Sequence, residues 1–90
     1  MRVAKVIGNI WATRKDERLS GLKLLLVQPL DIRDDSIDSV PLVAADIIGA
    51  GVGEKVIIVS GSSARSAVDN MNTPVDATVV GIVDDLEIKA

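Results

Sequence analysis

The chain has 90 residues, with 13 acidic against 10 basic side chains for a formal net charge of −3, and it contains neither cysteine nor histidine. That length leaves room for one domain (residues 1–90) with one modest core, since a chain of this size buries only about 60 to 65% of the surface it exposes when unfolded. The missing residue types exclude disulfides, thiolate metal sites and the commonest metal ligand and general base. The net charge has the wrong sign for a general phosphate-binding surface, which argues against nucleic acid as a partner.

Apolar residues make up 48% of the chain, yet Trp11 is the only aromatic, so its apolar area comes from Val, Ile, Leu and Ala. That much aliphatic surface on so small a chain predicts burial of part of it against other chains. From Met1 the sequence enters directly into an alternating pattern, without the long apolar run and cleavage site of a secretory leader. Charged residues interrupt every apolar stretch well short of the roughly 18 to 20 residues that span a bilayer. The expectation is a soluble, cytoplasmic protein with no membrane partner.

Residues 2–11 read as a first strand, with Ala4, Val6, Gly8 and Ile10 on one face and Lys5 and Asn9 on the other; a glycine at position 8 marks a bend or bulge. Residues 12–21 hold most of the early charge, end in Ser20-Gly21 and read as a solvated loop. A second strand over 22–28 is stopped by Pro29, which has no N–H to give to a ladder. Residues 31–39 are polar and acidic, a surface loop between Pro29 and Pro41. Residues 42–46 form a short third strand, followed by Gly49-Ala50-Gly51-Val52-Gly53; residues 55–60 are a fourth strand and 77–84 a fifth.

Between the last two strands lies one helix of about two turns, with Ser62 or Ser63 as its cap and Ala64, Ala67, Val68 and Met71 along one face. Pro74 follows its end. Strands this short, with one short helix, favour antiparallel pairing over parallel crossovers, which need roughly a dozen connecting residues each. The fold class expected is mainly all-β: a five-stranded, partly open OB-like antiparallel barrel with one short helix before the last strand.

The fourth and fifth strands, Val56-Ile57-Ile58-Val59 and Val79-Val80-Gly81-Ile82-Val83, are apolar on both faces, the pattern of strands covered on both sides. One face can fill the barrel. Nothing else in the chain is large enough to cover the other, so Ile58, Val80 and Ile82 become candidates for contacts between subunits.

The motifs that resemble chemical sites each have a plainer structural explanation. The glycines at 49, 51 and 53 precede a strand, whereas a dinucleotide loop must open a helix whose N-terminus faces the pyrophosphate. A tight turn at a subunit contact fits Gly49 and Gly51 better. Ser60, Ser62 and Ser63 have no histidine to activate them, and helix capping accounts for the last two. Asp31, Asp34, Asp35 and Asp38 lack the order of a calcium loop, and Asp84, Asp85 and Glu87 read as a polar strand end. Trp11 is one aromatic on an acidic protein, whereas single-strand binders line a basic groove with several. No catalytic, metal or cofactor site emerges, and the chain does not read as an enzyme. Two other readings stay open: an OB-fold nucleic-acid-binding domain, and a small enzyme using carboxylates alone.

Taken together, Val3 through Trp11 followed by Ala12-Thr13-Arg14-Lys15, Leu19-Ser20-Gly21-Leu22-Lys23-Leu24 and Val27-Gln28-Pro29-Leu30 resemble the opening of the EutN/CcmL vertex proteins of bacterial microcompartments. The resemblance continues through Val43-Ala44-Ala45-Asp46, Ile48-Gly49-Ala50-Gly51, Glu54, Val56, Gly61-Ser62-Ser63-Ala64-Arg65, Pro74-Val75-Asp76-Ala77 and Val80-Gly81-Ile82-Val83-Asp84. It implies a five-stranded OB-like barrel that assembles as a cyclic homopentamer. It also implies a place at the vertices of a polyhedral shell (carboxysome or metabolosome), hexameric shell proteins as neighbours, and no cofactor. On the same basis Asp46, the Gly49 to Gly51 turn and the cap around Gly61, Ser62 and Arg65 are assigned to fold and subunit contacts. Many relatives carry an aromatic near Lys55 where this chain has none, so one packing contact is expected to differ.

Overall fold

The computed structural model describes residues 1–13 and 15–86; Arg14 of the family resemblance and Glu87 of the second acidic cluster lie outside the described residues. Five strands, β1 (Arg2–Ile10), β2 (Lys23–Pro29), β3 (Leu42–Asp46), β4 (Lys55–Ser60) and β5 (Ala77–Ile82), close in the order β1-β2-β3-β5-β4. One helix, α1 (Ser62–Ala67), sits between β4 and β5. The barrel is fully closed, so no strand is left with an unpaired edge.

Side chains alternate across each strand, and the inward set fills the lumen: Ala4, Val6, Leu25, Val27, Ala44, Val56, Ile58 and Val79 are all buried. The interior is therefore a packed aliphatic core, with Ala50 and Ala77 completing it.

One pairing departs from the antiparallel expectation. β3 and β5 run parallel, with Ala45 opposite Thr78 and Asp46 opposite Val79. The crossover between them is long enough because it contains both β4 and α1, so a strand and a helix together do what a helix alone does in an ordinary parallel unit.

Two bulges set which residues face outward. β1 and β2 shift register between Val6 and Gly8, leaving Ile7 as the extra residue. Beyond it Gly8 pairs with Leu26 and Ile10 with Leu24, so both turn to the outside. The single face expected for Ala4, Val6, Gly8 and Ile10 is thus broken at the bulge the glycine marks. On β5 Val80 is the extra residue, since Ile57 pairs with Gly81 and Ile58 with Val79.

The helix is shorter than the sequence predicts, and neither serine caps it. Gly61, at φ 62°, is the N-cap and makes no side-chain bond, while Ser62 is the first helical residue. The helix ends early because Asp69 adopts a left-handed φ of 61°. The Asn70 N–H then donates to the Arg65 carbonyl and the Asp69 N–H to the Ser66 carbonyl, closing a Schellman motif. Met71 lies past this stop and is exposed.

Candidate functional site

The β3–β4 connection is built around Asp46. Its carboxylate accepts the N–H groups of Ile48 (2.9 Å), Gly49 (3.1 Å) and Ala50 (2.9 Å), and Lys23 Nζ lies 3.7 Å away. Lys23 also donates to the Ala50 carbonyl at 2.8 Å, tying β2 to the same turn. Gly49 is needed here for its φ of 91°. The Gly51 N–H donates to Glu54 Oε1 at 2.7 Å, and Gly53 and Glu54 then pair with Val6. The glycine-rich segment is therefore a fixed turn that holds Ile47, Ile48 and Val52 out into solvent.

The barrel's outer surface is covered unevenly. Over β3 and β5, residues 18–19 and the 70–76 segment close in: Leu19, Pro74 and Val75 line a cleft with Ala45, and Arg18 donates to the Asn72 carbonyl at 3.1 Å. α1 lies over Thr78, whose hydroxyl donates to the Ala64 carbonyl at 2.9 Å, and Arg65 reaches the Val75 carbonyl at 3.4 Å.

Two outer faces are only partly covered by the described residues. On the β1–β4–β5 side, Val3 pairs with Ile57 and Ile57 with Gly81, forming an apolar row continued by Val59 and Val80. Clefts beside this row are lined by Leu30, Ile32, Val83 and Leu86. On the β2–β3 side, Leu26 pairs with Gly8 and Val43, with Leu24 and Ile10 in the next row. In a closed barrel of this strand order these faces point in opposite directions, so they are two different patches.

Loop 31–39 is less polar than its acidic composition predicts. Ile32 and Ile37 stand exposed on it, while Arg2 bonds Asp38 (3.1 Å) and Lys55 bonds Asp35 (2.8 Å), anchoring the loop to β1 and β4. The Lys55 ammonium thus has a carboxylate partner, which offsets the like charge of Lys5 directly opposite it. Asp31 is held down to about 2, chiefly by the side-chain hydrogen bond from Arg33, and Asp16 likewise by Arg18. Each of these pairs lies two residues apart on an exposed loop, which marks local loop structure and not an acid–base site.

The residues singled out in the sequence divide accordingly. Asp46, Gly49, Gly51 and Gly61 are turn and cap positions, and Arg65 links α1 to the following segment. Val80 lies at the β5 bulge beside the outer row. Ile58 and Ile82 do not belong to an outer surface: Ile58 is 1% exposed in the lumen, and Ile82 pairs with Val56 and packs against the core. Parity assigns the outer positions instead to their neighbours Ile57 and Val59. Ser62 is exposed at the start of α1. Two features escaped the sequence reading: the partly covered apolar β2–β3 face, hidden by the β1 bulge, and the apolar tips of the loops. The isoleucines at 32 and 37 within an acidic run were the available signal for the latter.

Comparison with known proteins places this barrel among close relatives. The model of the family described as ethanolamine utilisation protein EutN/carboxysome matches residues 1–84. The carboxysome shell vertex protein CcmL of Synechocystis sp. is 43% identical over 88 residues, covering 98% of this chain and 87% of the relative. A solved structure of an ethanolamine utilization protein, EutN, superposes with a TM-score of 0.92 at 44% identity, covering 98% of this chain and 91% of the other. The GrpN pentameric microcompartment shell protein from Rhodospirillum rubrum superposes with a TM-score of 0.87 at 45% identity, covering 99% and 100%. With nearly full-length matches in both sequence and fold, this chain belongs to the EutN/carboxysome family.

Proposed function

We propose that this chain, acting over its whole length as one vertex domain, is a structural shell subunit that forms a ring of five and closes the vertices of a bacterial microcompartment in the cytoplasm. The observation that carries the reading is the pair of unlike apolar faces on opposite sides of a barrel whose lumen is already full. A subunit with two different patches assembles head to tail, and such a contact either closes into a ring or runs on as a filament. Its relative from R. rubrum is a pentameric shell protein, which supports closure at five.

The function follows from shape. A layer of hexagonal tiles is flat, and a five-fold unit removes one wedge and lets the layer curve shut. Hexameric shell proteins are therefore the partners at the outer rim of the ring, and nucleic acid and membrane are not partners. This work needs no cofactor and no catalytic residue, in keeping with relatives named as shell vertex proteins.

Size-exclusion chromatography with light scattering at two protein concentrations tests the assembly. A concentration-independent mass of five chains is the expected result. A single-chain mass at both concentrations overturns it.

A further inference from the structure

Trp11 is 91% exposed at the end of β1, on the margin of the β2–β3 face. A bare indole is a costly thing to leave in water, and tryptophan is enriched among the few residues that dominate contacts between proteins. At the other end of β1 lies a cleft of about 480 Å³, lined by Val3, Leu30, Ile32 and Ile57 together with Arg2, Asp31 and Asp38, whose carboxylates are paired with Arg33 and Arg2. That volume falls in the range of small-ligand pockets and leaves room for an indole.

Trp11 cannot reach the cleft of its own chain. The eight-residue span of β1 from Val3 to Trp11 separates them by about 26 Å at the usual rise of a strand. The charges around the two are complementary. Lys15, close to Trp11, forms no ion pair among the described residues, and neither does Asp85 in the adjoining cleft, which shares Val3, Ile32 and Ile57 with the first. Each chain thus carries a knob with an unpaired cation at one end and a socket with a neighbouring unpaired carboxylate at the other, two unlike patches of the kind a head-to-tail contact joins.

We infer that Trp11 of one subunit seats in the Val3–Leu30–Ile32–Ile57 cleft of the next, with Lys15 facing Asp85 of the adjoining cleft. This rests on the ring proposed above and names the contact that closes it.

Because Trp11 is the only tryptophan and the chain has no tyrosine, intrinsic fluorescence reports this site alone. Emission and acrylamide quenching are measured on the full chain whose mass has been fixed by light scattering. The expected result is blue-shifted emission from the ring and a quenching constant several-fold below that of free tryptophan. Ile32→Asp, on an exposed loop position, is expected to restore water-like emission and quenching or to release single subunits. A five-chain ring with fully quenchable Trp11 overturns the seat while leaving the ring standing. Shielded emission that Ile32→Asp leaves unchanged assigns Trp11 to a different pocket and overturns the cleft. A single-chain mass for the wild type overturns both ring and seat.

Discussion

Ile57 and Ile58 are adjacent on β4 but face opposite sides of the wall, so truncating each to alanine separates the stability of the subunit from that of the assembly. Ile58 is fully buried among lumen side chains held by a closed ring of strands, which limits how far the site can collapse. Ile58→Ala should therefore cost about 3 to 5 kcal/mol, the upper part of the range for large-to-small core changes. Against a total of roughly 5 to 13 kcal/mol for a chain of this length, that is a large fraction. Ile57 is half-buried in the subunit alone. Full burial of such a side chain is worth about 1.5 to 3 kcal/mol, so Ile57→Ala should remove about 1 kcal/mol from the subunit and a similar amount from each contact in the ring. One kcal/mol per contact is about a fivefold weakening. Urea denaturation followed by circular dichroism reads the first quantity, and light scattering across a dilution series reads the second. Equal losses of subunit stability, or an Ile57→Ala ring that survives dilution as well as the wild type, would refute the assignment of the two faces.

Three further outcomes follow from the same structure. Asp46→Ala leaves the buried Ala50 N–H without its acceptor and returns those of Ile48 and Gly49 to water, so denaturation should show a loss of about 3 to 5 kcal/mol; under 1 kcal/mol would mean the turn is held by other bonds. Thr78→Val removes the donor to the Ala64 carbonyl beneath α1, with an expected cost of about 1 kcal/mol and faster amide exchange in the helix; unchanged exchange would show that α1 does not depend on it. Asp16 and Asp31 are held down to about 2, below the ordinary carboxylate value near 4, so what their arginine pairs contribute is complete above about pH 4 and lost as pH falls through about 2. Carboxyl carbon shifts in an NMR titration should move with midpoints near 2, and midpoints near 4 would mean the pairs do not persist in solution.

Much of the barrel was legible because its strands are short, alternating and punctuated. β3 and β4 match the residues expected, and the other strands differ by one or two residues at their ends. Pro29 closes β2, and Gly8 marks a real bulge. The helix was legible in existence and not in length, since nothing in the local pattern announces that Asp69 will take a left-handed conformation.

The sequence by itself determined that two strands carry more aliphatic surface than one core can use, that no histidine or cysteine chemistry is available, and to which family the residues belong. The tertiary structure decided which side of the wall each aliphatic residue faces. A one-residue bulge reverses that side, and where bulges fall depends on pairing with strands distant in the chain. On β4 the alternation is unbroken and puts Ile58 in the lumen and Ile57 outside, whereas on β5 the extra Val80 lets Val79 face the lumen with Ile58 and Gly81 face outward with Ile57. The parallel pairing of β3 with β5 has the same origin: it follows from closing the barrel through β4 and α1, a long-range outcome that no local window contains.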